Sequence, residues 1–364
     1  MANTVYNFCA GPATLPKPAL EQARDELLSY QGTGMSVMEI SHRSKWAADI
    51  IAEAEENIRT LLGVPSGYTV LFLHGGATLQ FSMVPMNLLG GAGKHAEYII
   101  TGSWGVKAQK EAAKEGEARV IWSGKDDNYV RTPKPAEAAV SPDAAYVHFT
   151  SNETIQGVEF FAEPETGDVP LVCDASSDFL ARPVPVERYG VLYAGAQKNV
   201  GPAGAAVVII RDDLIGKAPE GLPSLLDYKV MAENKSLYNT PPMFTIYMIM
   251  LSTRWALKDI GGLKAMEERN RKKANMLYDA IDGSGGFYKG HAEAAFRSIM
   301  NVTWRLPSED LEAQFLKEAD AAGLLQLKGH RSVGGLRASI YNAMPVEGVE
   351  ALRDFMTEFQ RKNG

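Results

Sequence analysis

Apolar residues fall along this chain in two rhythms, one helical and one strand-like. Trp46, Ile50, Ile51, Ala54, Ile58, Leu61 and Leu62 recur at helical spacing, and Gly63 and Pro65 close the stretch. Pro16 and Pro18 precede ALEQARDELLSY, which predicts a helix opened by proline and stopped at Gly32 and Gly34. An irregular stretch, SVMEISHRS, lies between the two. From residue 68 the grammar changes. YTVLFLH reads as a buried strand, GG follows, and ATLQFSMVPMNLL reads as a helix; EYIIT, GSW and a Lys- and Ala-rich helix repeat the unit. AAYVHFT, VPLVCDAS, YGVLYAGA and GAAVVIIR are further runs of strand length. Strands alternating with helices predict an α/β fold with a largely parallel sheet, and ligands of such folds bind at the carboxyl ends of the strands.

After about residue 260 the pattern differs. GLKAMEERNRKKANMLYDAI predicts a long charged helix, and GSGG a turn. RSIMNVTWRL (strand), EDLEAQFLKEADAAG (helix), GLRASIYNA (strand) and EGVEALRDFMTEFQRK (helix) follow, the outline of a smaller α+β domain.

The chain has 364 residues, which at roughly 150 per domain suggests about two domains. Hydrophobic residues make up 45% and charged residues 22%, which excludes a disordered, collagen-like or coiled-coil architecture. A net charge of −7 argues against nucleic-acid binding through a general basic face, while leaving local cationic clusters free to take a small anion. Cys9 and Cys173 are the two cysteines; they form no C-x-x-C, so reduced thiols in a cytosolic protein are expected rather than a disulfide framework or a zinc site. The longest apolar run, Met243 to Leu251, is too short to span a membrane and predicts a core helix. The N-terminus lacks the charged and apolar regions of a secretory signal, so a cytoplasmic location is expected.

GGAGKH fails as a phosphate loop, because Leu88 holds the first glycine position and His95 follows the lysine. No G-x-G-x-x-G follows a strand, no G-x-S-x-G or H-E-x-x-H occurs, and the six histidines lack metal-ligand spacing, so no metal is expected. Four clusters at strand ends remain. His74-Gly75-Gly76-Ala77-Thr78 sits at a strand-to-helix junction, where glycines and free helix N–H groups suit a phosphate. Asp174 directly follows a strand. Lys198 stands among small residues in YAGAQKNVGP, flanked by expected core; a desolvated lysine has a lowered pKa and can act as an amine nucleophile. His42, Arg43, His330, Arg331 and Arg337 are cations suited to phosphate and carboxylate. A lysine for a Schiff base, an acid for a pyridinium nitrogen and a glycine helix start for a phosphate are what pyridoxal phosphate needs. Trp104, after EYIIT, could stack on its ring.

These segments resemble the phosphoserine aminotransferases, a branch of the fold-type-I, class V pyridoxal-phosphate aminotransferases. NFCAGPATLP, SVMEISHRS, LFLHGGATLQF, YAGAQKNVGPAG, SLYNTPPMFTIY and KGHRSVGGLRASIYNAMP carry the likeness, from residue 7 to 345. The resemblance implies a large domain over 16–260 with a mainly parallel seven-stranded sheet, and a small domain of residues 1–15 and 261–364. It implies that Lys198 carries the cofactor, Asp174 bonds the pyridine nitrogen, Trp104 stacks on the ring and Thr154 bonds the ring oxygen. Ala77, Thr78 and Gln197 would line the cofactor phosphate. Asn239 and Thr240 would reach it from a second subunit, in a homodimer with shared sites. His42, Arg43, His330 and Arg331 would receive a substrate phosphate or distal carboxylate, and Arg337 the α-carboxylate. The implied reaction moves the amino group of L-glutamate to 3-phosphohydroxypyruvate, giving O-phospho-L-serine and 2-oxoglutarate in serine biosynthesis. Amination of a related phosphorylated keto acid in vitamin B6 synthesis stands beside it.

Two positions depart from the pattern. Some relatives carry an arginine in the glycine loop, where this chain reads HGGATLQF, and a serine where it has Ala10. A serine–glyoxylate or alanine–glyoxylate aminotransferase on the same fold remains an alternative, as does a phosphometabolite-binding protein without catalysis. The cationic cluster speaks against the first and the intact Lys198 and Asp174 against the second.

Overall fold

The computed structural model describes residues 4–90 and 94–364. Residues 91–93 of the rejected phosphate-loop run, and the first three of the N-terminus judged to lack a signal, lie outside them.

Along the chain the elements are β1 (Tyr6–Asn7), α1 (Lys17–Glu26), α2 (Lys45–Leu62), β2 (Tyr68–His74), α3 (Ala77–Leu88), β3 (His95–Ile100), α4 (Ser103–Ala112), β4 (Glu117–Ser123) and β5 (Tyr146–Thr150). A short pair, β6 (Asn152–Glu153) and β7 (Val158–Glu159), precedes β8 (Leu171–Asp174), β9 (Tyr189–Gly195) and β10 (Ala205–Arg211). Helices α5 (Tyr228–Glu233), α6 (Met243–Lys258) and α7 (Leu263–Asp282) lead to β11 (Lys289–Gly290), β12 (Asn301–Arg305), α8 (Glu309–Ala321), β13 (Leu324–Leu325), β14 (Leu336–Ser339) and α9 (Val346–Asn363).

Local chemistry explains the boundaries. The Ser44 hydroxyl caps α2 by accepting from the Ala47 N–H, and Gly63 ends the helix at φ 61°, where a side chain would be strained. Helix α1 stops at Glu26, short of the predicted glycines, and residues 30–32 form a separate single turn. The apolar run from Met243 is a core helix, as its composition required, and is buried on nearly every side.

Seven strands form the main sheet in the order β2-β10-β9-β8-β5-β3-β4. The pairs from β4 through β9 are parallel, whereas β10 runs antiparallel to both β9 and β2. A parallel return needs a long crossover, and the connection 196–204 carries no helix, so β10 folds back beside β9. Edge strand β4 escaped the sequence reading: half its residues are exposed and it lacks a continuous apolar run.

Alternate residues of each strand feed opposite layers. Val70 and Phe72 of β2, with Val207 and Ile209 of β10, pack with Ile50, Ile58, Ile246 and Ile249 of α2 and α6. Leu71, Leu73, Val208 and Ile210 pack on the other face with Phe81, Val84 and Ala108 of α3 and α4. A separate core gathers Phe8, Leu277, Val302, Trp304, Phe315, Ala338, Leu352 and Phe359 around the antiparallel sheet β11-β12-β14. Among the described residues, no helix is long and apolar enough to cross a membrane, and no cluster of His, Cys, Asp or Glu could hold a metal.

Candidate active site

Strand ends of the main sheet converge on Lys198. This residue follows β9, is 8% exposed, and donates from Nζ to Thr154 Oγ1 at 2.7 Å and Ser177 Oγ at 2.9 Å. Burial lowers its pKa to about 8, against the opposing pull of Asp174 and Glu153; the Arg337 charge pushes it further down. The amine is therefore far easier to deprotonate than a surface lysine.

Asp174 ends β8 and pairs in register with Tyr193 of β9. Its Oδ1 accepts from the Ser176 N–H at 3.0 Å and the Ser176 hydroxyl at 2.5 Å, and Ser176 Oγ in turn accepts from the Gly195 N–H at 3.0 Å. One carboxylate oxygen is thereby fixed, and Oδ2 is left without a protein donor among the described residues. Burial raises the Asp174 pKa, and Lys198 and Ser176 work against that.

Trp104 lies in the first turn of α4 with its ring centroid 5.7 Å from Lys198 Nζ. Its indole Nε1 is buried with no partner among the described residues. Thr154 and Ser177 share a 2.6 Å hydroxyl contact beside the amine. Ala77 begins α3, and the Gln197 side chain meets it at Gly195: a Cβ added there would stand 2.7 Å from Gln197 Oε1 and 3.3 Å from the Ala77 nitrogen. Thr78 follows in the same helix turn, exposed.

Arg337 is carried on β14, opposite Thr303 of β12. It is half-buried, its Nε has no partner, and it forms no ion pair among the described residues. Burial lowers its pKa. Such a guanidinium favours an incoming carboxylate. His330 Nδ1 accepts from the Ser332 N–H at 3.2 Å, which leaves Nε2–H to donate outward. Its pKa is lowered by burial and then by the charges of Arg337, Lys107 and Arg331, so the neutral ring is favoured.

The remaining predicted residues are not joined to this group within one chain. His42 is half-buried with Nε2 unpartnered, and Arg43 is exposed; no hydrogen bond or ion pair among the described residues links either to Lys198, Asp174 or Arg337. Asn239 Oδ1 lies 3.1 Å from His74 Nε2 of its own chain, and Thr240 beside it is exposed. The Ala10 carbonyl accepts from Tyr341 OH at 2.8 Å.

Several residues near the amine were not singled out from sequence. Ser176 and Ser177 stand in the DASSD run directly after Asp174, and polar residues at a strand end were the available signal. Lys107 holds its Nζ 3.9 Å from the Trp104 ring centroid, which no linear pattern announces. Glu153 and Asn199 adjoin recognised positions; Asn199 Nδ2 donates to the Ser177 carbonyl at 2.8 Å, and its Oδ1 accepts from the Asn342 N–H at 3.0 Å.

This donor set fits pyridoxal phosphate. A buried amine, a fixed carboxylate with one free oxygen, a flat indole and a glycine gap beside a helix start are gathered at one sheet edge.

Comparison with known proteins agrees. The family model for aminotransferase class-V matches residues 5–352. A phosphoserine aminotransferase of Rhodopirellula baltica is 55% identical over 99% of this chain and 96% of its own. The solved phosphoserine aminotransferase of Bacillus circulans subsp. alkalophilus superimposes with a TM-score of 0.97 at 52% identity, covering 99% of both chains. A phosphoserine aminotransferase of Trichomonas vaginalis, solved with PLP bound, gives 0.92 at 40% identity over 97% of this chain and all of its own. The chain belongs to the class-V aminotransferase family, in the branch of the phosphoserine aminotransferases.

Proposed function

We propose that this chain is a pyridoxal-phosphate enzyme that transfers the amino group of L-glutamate to 3-phosphohydroxypyruvate, reversibly, yielding O-phospho-L-serine and 2-oxoglutarate for serine biosynthesis. One observation carries the reading: the buried amine of Lys198 held by Thr154 and Ser177, with Asp174 fixed beside it and the unpaired Arg337 guanidinium in its electrostatic reach.

Bound pyridoxal phosphate supplies an electron sink for the charge that develops at the substrate Cα. Lys198 would hold the cofactor and, once released from it, would serve as the base that takes a proton from the substrate Cα. Asp174, its carboxylate held by Ser176, would keep a proton on the ring nitrogen. Trp104 would cover one ring face, and Thr154 would bond the ring hydroxyl oxygen. Ala77, Thr78 and Gln197 would hold the cofactor phosphate. Arg337 clamps the α-carboxylate of either substrate with its planar fork. His330 and Arg331, with His42 and Arg43, receive the γ-carboxylate and the phosphate in turn. The exposed Lys107 adds charge to this group, which offsets the arginine missing from the glycine loop.

A second copy of the chain completes the site. Support comes from apolar residues left exposed next in the chain to predicted residues that one chain does not bring to the amine: Met38 and Trp46 beside His42 and Arg43, and Tyr238 beside Asn239 and Thr240. Residues 16–260 form the large domain; 1–15 and 261–364 form the small one, consistent with Phe8 sharing its core with Leu277 to Phe359. The free, partly or fully buried cysteines suit a cytoplasmic setting.

A steady-state assay with glutamate as donor tests the substrate. Turnover with 3-phosphohydroxypyruvate should exceed that with hydroxypyruvate and glyoxylate by at least about a hundredfold in kcat/KM, because the cationic group is left unpaired without a phosphate. Equal use of glyoxylate would move the chain to an unphosphorylated substrate.

A further inference from the structure

Glu153 is completely buried, and its carboxylate faces the first turn of α4. Its Oε2 accepts the Trp104 N–H at 3.0 Å and its Oε1 the Gly105 N–H at 2.8 Å. Helix starts leave such N–H groups unpaired and favour negative charge. The ordinary capping position offers no help, since Gly102 occupies it. The cap comes instead from β6, far away in sequence.

Gly102 is small for the same reason. A Cβ there would stand 2.5 Å from Glu153 Cδ and 2.6 Å from Gln156 Oε1. Gln156 extends the grip: its Oε1 accepts the Ser103 N–H at 3.3 Å, and its Nε2 donates to Ser103 Oγ at 3.0 Å. Three consecutive residues of the helix start, Ser103 to Gly105, are thus held by one hairpin, with Trp104 in the middle. The residue after Glu153 is Thr154, which holds Lys198 Nζ. The 153–154 backbone therefore ties the Trp104 ring to the amine.

Holding a carboxylate here opposes solvation. Burial pushes the Glu153 pKa up to about 7, and the Gly105 and Trp104 N–H groups pull it back. A glutamine would fill the same space but supply one acceptor; its amide NH2 would face an N–H.

We propose that Glu153 is a positioning residue for the cofactor: by clamping the first turn of α4 it sets the Trp104 indole over the ring of pyridoxal phosphate. The inference rests on the cofactor reading above, and its effect passes through Trp104.

The test is a double-mutant cycle on the full chain freed of cofactor and titrated with pyridoxal phosphate, read by affinity and by quenching of tryptophan fluorescence. Wild type and Trp104→Phe come first. Quenching in wild type that Trp104→Phe lacks establishes that Trp104 meets the cofactor; its absence removes the cofactor reading itself, before any Glu153 variant is made. Glu153→Gln should then weaken affinity about tenfold, the size of one charge-assisted hydrogen bond, and reduce the Trp104 quenching. In the Trp104→Phe background the same change should alter affinity by less than about twofold. Equal losses in both backgrounds, or no loss in either, overturn the proposal. If Glu153→Gln does not fold, Glu153→Asp runs the same cycle, with a smaller loss expected that again disappears in Trp104→Phe.

Discussion

Lys198 Nζ and Thr154 Oγ1 meet at 2.7 Å, joining the segment after β9 to the segment after β6. The amine also touches the Ser177 hydroxyl, and among the described residues it has no carboxylate at hydrogen-bond distance. Hydroxyls satisfy its donors without stabilising its charge as an ion pair would, so burial dominates and brings the pKa to about 8. The neutral amine is the form that would attack the cofactor aldehyde, and its share grows as pH rises through the pKa. Uptake of pyridoxal phosphate by the cofactor-free chain should therefore accelerate with a midpoint near pH 8, measured by stopped-flow absorbance. A rate still climbing past about pH 10, where ordinary lysines titrate, contradicts the burial argument.

Lys198→Ala removes the side chain proposed as both anchor and base. Turnover should vanish while the thermal midpoint changes little, since the side chain's partners are hydroxyls that can pair with each other. Activity above about five per cent of wild type would assign the proton transfer to another group.

Asp174→Asn keeps the size and the Ser176 contact but loses the charge proposed to hold a proton on the ring nitrogen. A fall in kcat of roughly three orders of magnitude is expected, the scale of a dominant electrostatic contribution. A rate near wild type would mean that a different residue protonates the ring.

Arg337→Lys substitutes a point charge for a planar fork. KM should rise about tenfold or more for both glutamate and 3-phosphohydroxypyruvate, because both carry the α-carboxylate. A loss confined to the phosphorylated substrate would move Arg337 to the phosphate subsite.

Much of this was legible in advance for a simple reason. YTVLFLH, YGVLYAGA and GAAVVIIR are apolar without a break because their strands are buried on both faces, and so they fall where the structure has β2, β9 and β10. Lys198 and Asp174 stood out as charges beside such runs. β4 was invisible because an edge strand has no such requirement. The direction of β10 followed from the length of a connection rather than from any residue. Glu153 and Lys107 were missed because their partners are on other elements, and a linear pattern carries no record of which helix start lies against which hairpin.

Gly157 tests the seam between the hairpin and the small sheet. It sits at φ 68°, and a Cβ there would stand 2.5 Å from the Asn301 carbonyl oxygen. Around it, Thr303 Oγ1 donates to the Gln156 carbonyl at 3.0 Å and Asn152 Nδ2 to Asn301 Oδ1 at 2.8 Å. Gly157→Ala should destabilise the chain by roughly 2 kcal/mol or more, combining backbone strain with the clash. Chemical denaturation measures it; a change under about 0.5 kcal/mol would mean that the seam relaxes freely.

The most direct test of the whole account is the visible absorbance of the purified chain loaded with pyridoxal phosphate, followed on adding O-phospho-L-serine and, separately, L-serine. The account requires a yellow band that bleaches with phosphoserine and persists with serine at equal concentration. A band that serine bleaches equally well, or no band after the cofactor is supplied, contradicts it.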